Sequence, residues 1–118
     1  MNWIEAQQFC SQSNDSHLVE IFSQGHQDFL VVELYSLELS GGGKYLWWIG
    51  LTNIGNIASN DWYWVHSHTN ANFTSWQSGQ PNNVYYDNFS YMHFSYEYNW
   101  VDTIYNGYTI YPICQFFP

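Results

Sequence analysis

From the N-terminus, apolar residues first recur at helical spacing. Trp3, Ala6, Phe9 and Cys10 fall on one helical face, and Asn2 followed by Glu5 has the form of a capping box. The polar cluster Ser11 to Ser16 ends this helix. Leu18-Val19-Glu20-Ile21 reads as a short extended link. Ser23 is a suitable N-cap for a second helix, whose inward stripe is Phe29, Leu30, Leu34 and Leu37, and Ser40-Gly41-Gly42-Gly43 terminates it. Beyond Gly43 the helical period disappears. Tyr45 to Leu51 is aromatic and branched and predicts a central strand, Trp62 to Val65 a second, and Tyr98 to Asp102 and Tyr108 to Phe116 two more. Between Ser67 and Asn88 runs a polar stretch with Gly79 and Pro81, of a length that in compact domains is functional or disordered. The pattern predicts one α+β domain over residues 1–118: two helices, then small antiparallel sheets carrying a long loop.

Composition narrows the function classes. The 118 residues suffice for one domain, and with 46% apolar residues they can bury a core. Aromatic residues reach 22%, which argues against disorder. Ten acidic residues face one basic residue, Lys44, for a net charge of −9. Such a chain has nothing to neutralise phosphates with, which argues against nucleic acid as a partner and against docking on anionic lipid. It can attract divalent cations. No apolar run approaches the roughly 20 residues that span a bilayer. The segment beginning Met1-Asn2-Trp3 carries neither the basic nor the apolar region of a signal peptide. Two cysteines, Cys10 and Cys114, stand near the two ends, either as unrelated buried thiols or as a bridge between the termini. Asn14, Asn72 and Asn88 lie in N-x-S/T sequons, which are compatible with secretion.

A set of short motifs occurs in a fixed order along nearly the whole chain. Trp3-Ile4-Glu5-Ala6 with Phe9-Cys10 comes first, then Ser16-His17-Leu18-Val19-Glu20-Ile21. Trp48-Ile49-Gly50-Leu51 follows, then Phe73 with Trp76, and Gly79-Gln80-Pro81-Asn82-Asn83. Trp100-Val101-Asp102 and Pro112-Ile113-Cys114 close the series. On these residues the chain resembles a C-type lectin-like domain. The resemblance implies the C-type lectin-like fold, a Cys10–Cys114 bridge, and a secreted or extracellular carbohydrate-binding protein, with glycans or glycoproteins as partners.

The departures from the family pattern carry their own expectations. The family begins with a strand before the first helix, and this chain starts at the helix, so Met1 is expected to be internal to a longer precursor. The edge that strand would cover invites pairing between copies. The family's inner disulfide is replaced by Phe89 and Tyr105, which are expected to face each other. The lost link, closing about 16 residues, is worth about 3 kcal/mol, of which an aromatic pair recovers about 0.5–1.5 kcal/mol.

In sugar-binding members, calcium is held by a Glu-Pro-Asn or Gln-Pro-Asp loop, a following acidic residue and an Asn-Asp pair after a Trp, and the same residues bond the sugar hydroxyls. Here the corresponding residues are Gln80, Asn82, Asp87 and Asp102, so calcium is the implied cofactor. Val101 stands in the Asn position and offers no side-chain oxygen. Asn99, two residues away or about 6.6 Å along a strand, is a poor substitute. Only two of the four ligands are charged, so calcium is expected to bind weakly. The Gln80 and Asn82 pair mixes galactose-type and mannose-type triplets and does not specify a sugar.

Other groupings compete with plainer explanations. His66 and His68 would share one strand face as a metal pair, against an ordinary polar loop. Tyr85, Tyr86, Tyr91, Tyr96 and Tyr98 are either sugar-stacking rings or small-core packing. Asp87 and Asp102 form a glycosidase pair only if other hydrolase features accompany them, and none do, so no enzyme is expected. The main reading is a carbohydrate-binding domain with weak or degenerate calcium dependence. The alternative is a calcium-independent lectin-like module for protein interaction or structure.

Overall fold

Strand β2 (Leu46–Thr52) runs through the middle of the molecule with both faces covered. The structure, a computed structural model, describes all residues except 14, 57–60, 83–85, 87, 105–108 and 117–118. On one face Ile49 and Leu51 join Val19, Ile21, Leu34, Trp64, Met92 and Trp100. On the other, Trp48 joins Trp3, Ala6, Cys10, Leu18 and Phe89. Strand alternation sends neighbouring residues into different clusters, so the strand reads as one apolar run with no polar positions between.

The sheets are organised around that strand. β5 (Phe89–Met92) lies antiparallel along one edge of β2 and carries β6 (Trp100–Thr103) beyond it. The other edge is shared. β3 (Tyr63–Trp64), with β4 (Thr69–Asn70) outside it, pairs at Leu51 and Thr52, and β7 (Ile110–Pro112) pairs at Leu46 to Trp48. The β2–β7 pairing is parallel, the one exception among the named strand pairs of the described residues, which are otherwise antiparallel. β1 (Ser16–Leu18) and β8 (Cys114–Phe116) form a separate ribbon. The single strand expected over Tyr108 to Phe116 is therefore two. The chain changes sheets at Ile113, whose N–H donates to the Trp48 carbonyl and whose carbonyl accepts the Val19 N–H. β5 escaped the reading of the sequence because Ser90 interrupts its apolar run. The serine is fully buried, and its hydroxyl donates to the Leu51 carbonyl at 2.8 Å.

Both helices start where expected. In α1 (Trp3–Cys10) the Glu5 N–H donates to Asn2 Oδ1 at 2.8 Å and the Asn2 N–H to Glu5 Oε1 at 2.9 Å, the reciprocal capping box. Trp3, Ala6 and Cys10 face inward, but Phe9 is 50% exposed, since one residue turns the helix by about 100° away from Cys10. In α2 (Gln24–Leu39) Ser23 Oγ accepts the His26 N–H at 3.1 Å. The end is a Schellman turn: Gly41 (φ 91°) donates to the Glu38 carbonyl and Gly42 to the Leu37 carbonyl.

The expected inward stripe of α2 needs correction. Leu34 is buried and Leu30 half-buried, but Phe29 is 60% exposed and Leu37 is exposed as well. The missing core position is Gln27. Its Oε1 accepts the Trp100 indole N–H at 3.0 Å and its Nε2 donates to the Tyr98 carbonyl at 3.1 Å. On the same side, Glu38 accepts the Tyr98 hydroxyl, and burial followed by that carboxylate pushes the tyrosine pKa up. A count of apolar spacing passes over a polar residue that is buried because it is paired.

Cys10 and Cys114 are bonded, tying α1 to β8 with a Cα–Cα distance of 5.2 Å across 104 residues of chain. A bridge of that span removes about 4–5 kcal/mol of freedom from the unfolded chain on the entropic account. Gly50 permits a close crossing. A Cβ there would sit 3.2 Å from the carbonyl oxygens of Leu18 and Val19, and its N–H donates to the latter.

Gln27→Ala leaves the Trp100 indole N–H and the Tyr98 carbonyl buried without partners. Urea unfolding is expected to show a loss of about 2–4 kcal/mol at unchanged m-value. A second expectation concerns pH. Burial holds His26 and His93 below the ordinary imidazole value of 6.5. The folded state thus binds protons less readily than the unfolded chain, and stability falls as pH drops through that value. His93 Nδ1 also accepts the Ser95 N–H at 3.1 Å, a bond that protonation removes. The urea midpoint should be lower at about pH 5.5 than at about pH 7.5, and His93→Gln should narrow the difference.

Candidate functional site

The long polar segment is fastened to β6 at two levels. The Trp100 N–H donates to the Ser75 carbonyl and the Gln77 N–H to the Trp100 carbonyl, each at 2.8 Å, making a parallel bridge at Trp76. Further along, the Asn82 N–H donates to Asp102 Oδ1 at 2.9 Å. Between these points the chain turns at Gly79 (φ 83°) and through a cis Gln80–Pro81 peptide, with the Gln80 N–H on the Gln77 carbonyl. Asp102 is 3% exposed, and strand pairing sets it opposite Ser90. The Gln80 Oε1 atom is buried and accepts no hydrogen bond from the described residues. Asn82 is exposed.

Of the expected ligand set, the structure joins Asn82 to Asp102 and brings Gln80 into the turn beside them. Asp87 lies outside the described residues. Val101 is buried opposite Tyr91 and carries no donor atom. The described residues therefore offer one carboxylate, already holding an N–H, and the amide oxygens of Gln80 and Asn82. Calcium takes about six to eight oxygens, so these residues do not complete its shell. Among the described residues no three or more His, Cys, Asp and Glu side chains are grouped to hold a metal. The arrangement suits hydroxyl donors: an unfilled amide oxygen, a second amide in solvent, and a carboxylate that stiffens the loop.

The other candidates resolve differently. Residues 65–68 are a turn, with His68 at φ 57°, so His66 and His68 do not share a strand face. His66 stacks on the buried His17 instead, with centroids 4.0 Å apart. The turn is pinned by Glu20, a buried carboxylate that accepts the N–H groups of His66 and Ser67. Tyr98 belongs to the core and Tyr91 packs edge-on against Trp48, while Tyr86 and Tyr96 are exposed and Tyr85 lies outside the described residues. Tyr105 does too. The described ring partners of Phe89 are Trp3, stacked at 5.0 Å, and Trp48. Of the sequon asparagines, Asn72 is exposed and Asn14 is outside the described residues. Asn88 is fully buried, with Nδ2 donating to the Tyr86 carbonyl, so a glycan there requires that packing to open. Reading by motif also passed over a cleft bounded by Trp62 and Trp76, because its polar rim comes from Asp61, Asn70 and Thr74, which are separated in sequence.

Comparison with known proteins adds a family. A family model described as Lectin C-type domain matches residues 1–115. Human C-type lectin domain family 4 member K is 37% identical over 85 residues, which is 70% of this chain and 23% of that protein. Hepatic lectin of Gallus gallus is 30% identical over 116 residues, 98% of this chain and 50% of that protein. The chain thus spans between about a quarter and a half of the length of these relatives. Among solved structures, the mouse scavenger receptor C-type lectin carbohydrate-recognition domain superposes with a TM-score of 0.68 at 25% identity, covering 86% of this chain and 72% of that one.

Proposed function

Because this chain belongs to the C-type lectin family, we propose that it binds the glycans of glycoproteins outside the cell through Gln80, Asn82 and Asp102. The observation that carries the reading is the Gln80 amide oxygen, buried without a donor in a loop that Asp102 holds against β6. Once the Gln80 side chain turns outward, a sugar hydroxyl supplies the missing donor, and the exposed Asn82 amide beside it can both give and accept. A buried acceptor left unfilled costs about 1–3 kcal/mol, and a bound hydroxyl recovers part of that. The names of the relatives, a hepatic lectin and a carbohydrate-recognition domain, point the same way. The Cys10–Cys114 bridge supports an oxidising, extracellular setting. No helix among the described residues is long and apolar enough to cross a membrane.

In this reading calcium strengthens binding little. Even with Asp87 counted, as the family pattern implies, the donors number two carboxylates and two amides, still short of the usual shell. That shortage also favours a second reading, a lectin-like module whose loop face meets a protein.

Calorimetry on the intact chain separates the two. Mannose- and galactose-terminated glycopeptides are expected to bind with chelator present, and added calcium to bind no tighter than about 1 mM. Gln80→Ala should weaken the glycan about fivefold, the effect of one lost hydrogen bond. Asp102→Ala should weaken it more, because removing the acceptor of the Asn82 N–H releases the loop as well. No glycan heat with or without calcium makes the protein-interaction reading the better one. Tight calcium binding that Asp102→Asn abolishes shows a fuller oxygen shell than two carboxylates and two amides provide.

A further inference from the structure

We propose that the cleft between Trp62 and Trp76 is a second saccharide subsite, one that holds a neutral pyranose ring without a metal. The cleft measures about 280 Å³ and is lined by Asp61, Trp62, Asn70, Ala71, Thr74 and Trp76. The two indoles meet edge to face, centroids 4.8 Å apart and planes at 70°, so they form two walls of one corner. Both walls are held. Trp76 is bridged to Trp100 and packs against its ring at 5.9 Å, and the Trp62 carbonyl accepts the Ala71 N–H at 3.0 Å. A ligand entering this corner has little protein to order.

The chemistry of the lining selects the ligand. The C–H face of a pyranose carries slight positive charge and suits the negative face of an indole. Asp61, Asn70 and Thr74 are all exposed at the rim and supply a carboxylate, an amide and a hydroxyl, three separate partners for ring hydroxyls. Few polar groups set against aromatic walls is the usual make-up of a small-molecule site. An anionic sugar is disfavoured, since the chain's one basic residue, Lys44, is absent from the lining and Asp61 is present. Three dispersed polar groups also match an array of hydroxyls better than a single cationic head. The larger cavity bounded by Phe9, Tyr45, Trp47, Tyr111 and Pro112 has rings and tyrosine hydroxyls, but no carboxylate or amide side chain among its described lining residues.

Position gives the cleft a use. Trp100 and Asp102 alternate onto the same face of β6, about 6.6 Å apart. Trp76 packs on the first and Asn82 is bonded to the second, so the cleft and the Gln80–Asn82 loop lie side by side on one face. The glycan that spans both is an oligosaccharide of at least two units. This last step rests on the loop site proposed above, whereas the cleft does not.

The test is an NMR titration of the isotope-labelled chain with EDTA present, following the indole N–H signals of Trp62 and Trp76. The probes are methyl α-mannoside and methyl β-galactoside. At least one is expected to shift both signals saturably at about millimolar sugar, and Asn70→Ala or Thr74→Ala to weaken it about fivefold each. Asn82→Ala is expected to leave these shifts in place, so failure of the loop site and failure of the cleft are read separately. The proposal is overturned if neither sugar moves the two signals while both rim variants keep the native spectrum. It is also overturned if Asn82→Ala abolishes the shifts, or if tetramethylammonium moves the signals and the sugars do not.

Discussion

Burial of β2 on both faces is the constraint from which the rest of the structure follows. A strand with Trp48 on one side and Ile49 and Leu51 on the other needs cover from two directions. α1 and the β1–β8 end supply one cover, while α2, β3 and the tryptophans of β6 and its bridge supply the other. The disulfide joins α1 to β8 on the first side. On the second side no covalent link joins the described residues, and the long segment is held by hydrogen bonds in which Gln77 and Asn82 donate to β6 and Ser75 accepts from it. The side held by hydrogen bonds is the one that carries both candidate sites.

An aromatic core this dense brings polar atoms inside with it. Trp3, Trp48 and Trp100 are buried with their indole N–H groups on the Ile49 carbonyl, the Met1 carbonyl and Gln27. Each bond ties a ring to a different part of the chain, so the rings are oriented as well as packed. Trp64, equally buried, has no such partner among the described residues and is held by ring contacts with Trp100 and Phe22. The trio Trp62, Trp76 and Trp100 continues this stack outward until it reaches solvent, where ring surface becomes accessible to a ligand.

The two sites use different physics on one face. At Gln80, Asn82 and Asp102 the resource is hydrogen-bonding capacity held in a fixed loop. At Trp62 and Trp76 it is ring area with a polar rim. Neither depends on a concentrated negative field, although the chain as a whole is strongly acidic. That charge is spread over ten residues, and solvent screens a separated charge within about 10 Å. A net charge of this size is therefore an argument about solubility and excluded partners, and says little about a metal.

Sequence alone determined the parts that depend on local chemistry. The capping box at Asn2 and Glu5, the cap at Ser23, the glycine stop after Ser40 and the apolar run of β2 are set by neighbouring residues, and all are present in the structure. The ordered motifs identified the family and, through it, the Cys10–Cys114 pairing and the loop that holds Gln80 and Asn82. Tertiary structure decided what depends on partners distant in the chain. Gln27 is a core residue because Trp100 and Tyr98 meet it, and Phe9 and Phe29 are surface residues because no element covers them. Ser90 belongs to a strand because Leu51 takes its hydroxyl, and His66 is matched with His17 instead of His68 because a turn pinned by Glu20 directs it there. The cleft at Trp62 was invisible for the same reason. Its walls and rim come from residues that become neighbours only when β4 and the Trp76 bridge close against β3 and β6, and apolar periodicity carries no record of that meeting.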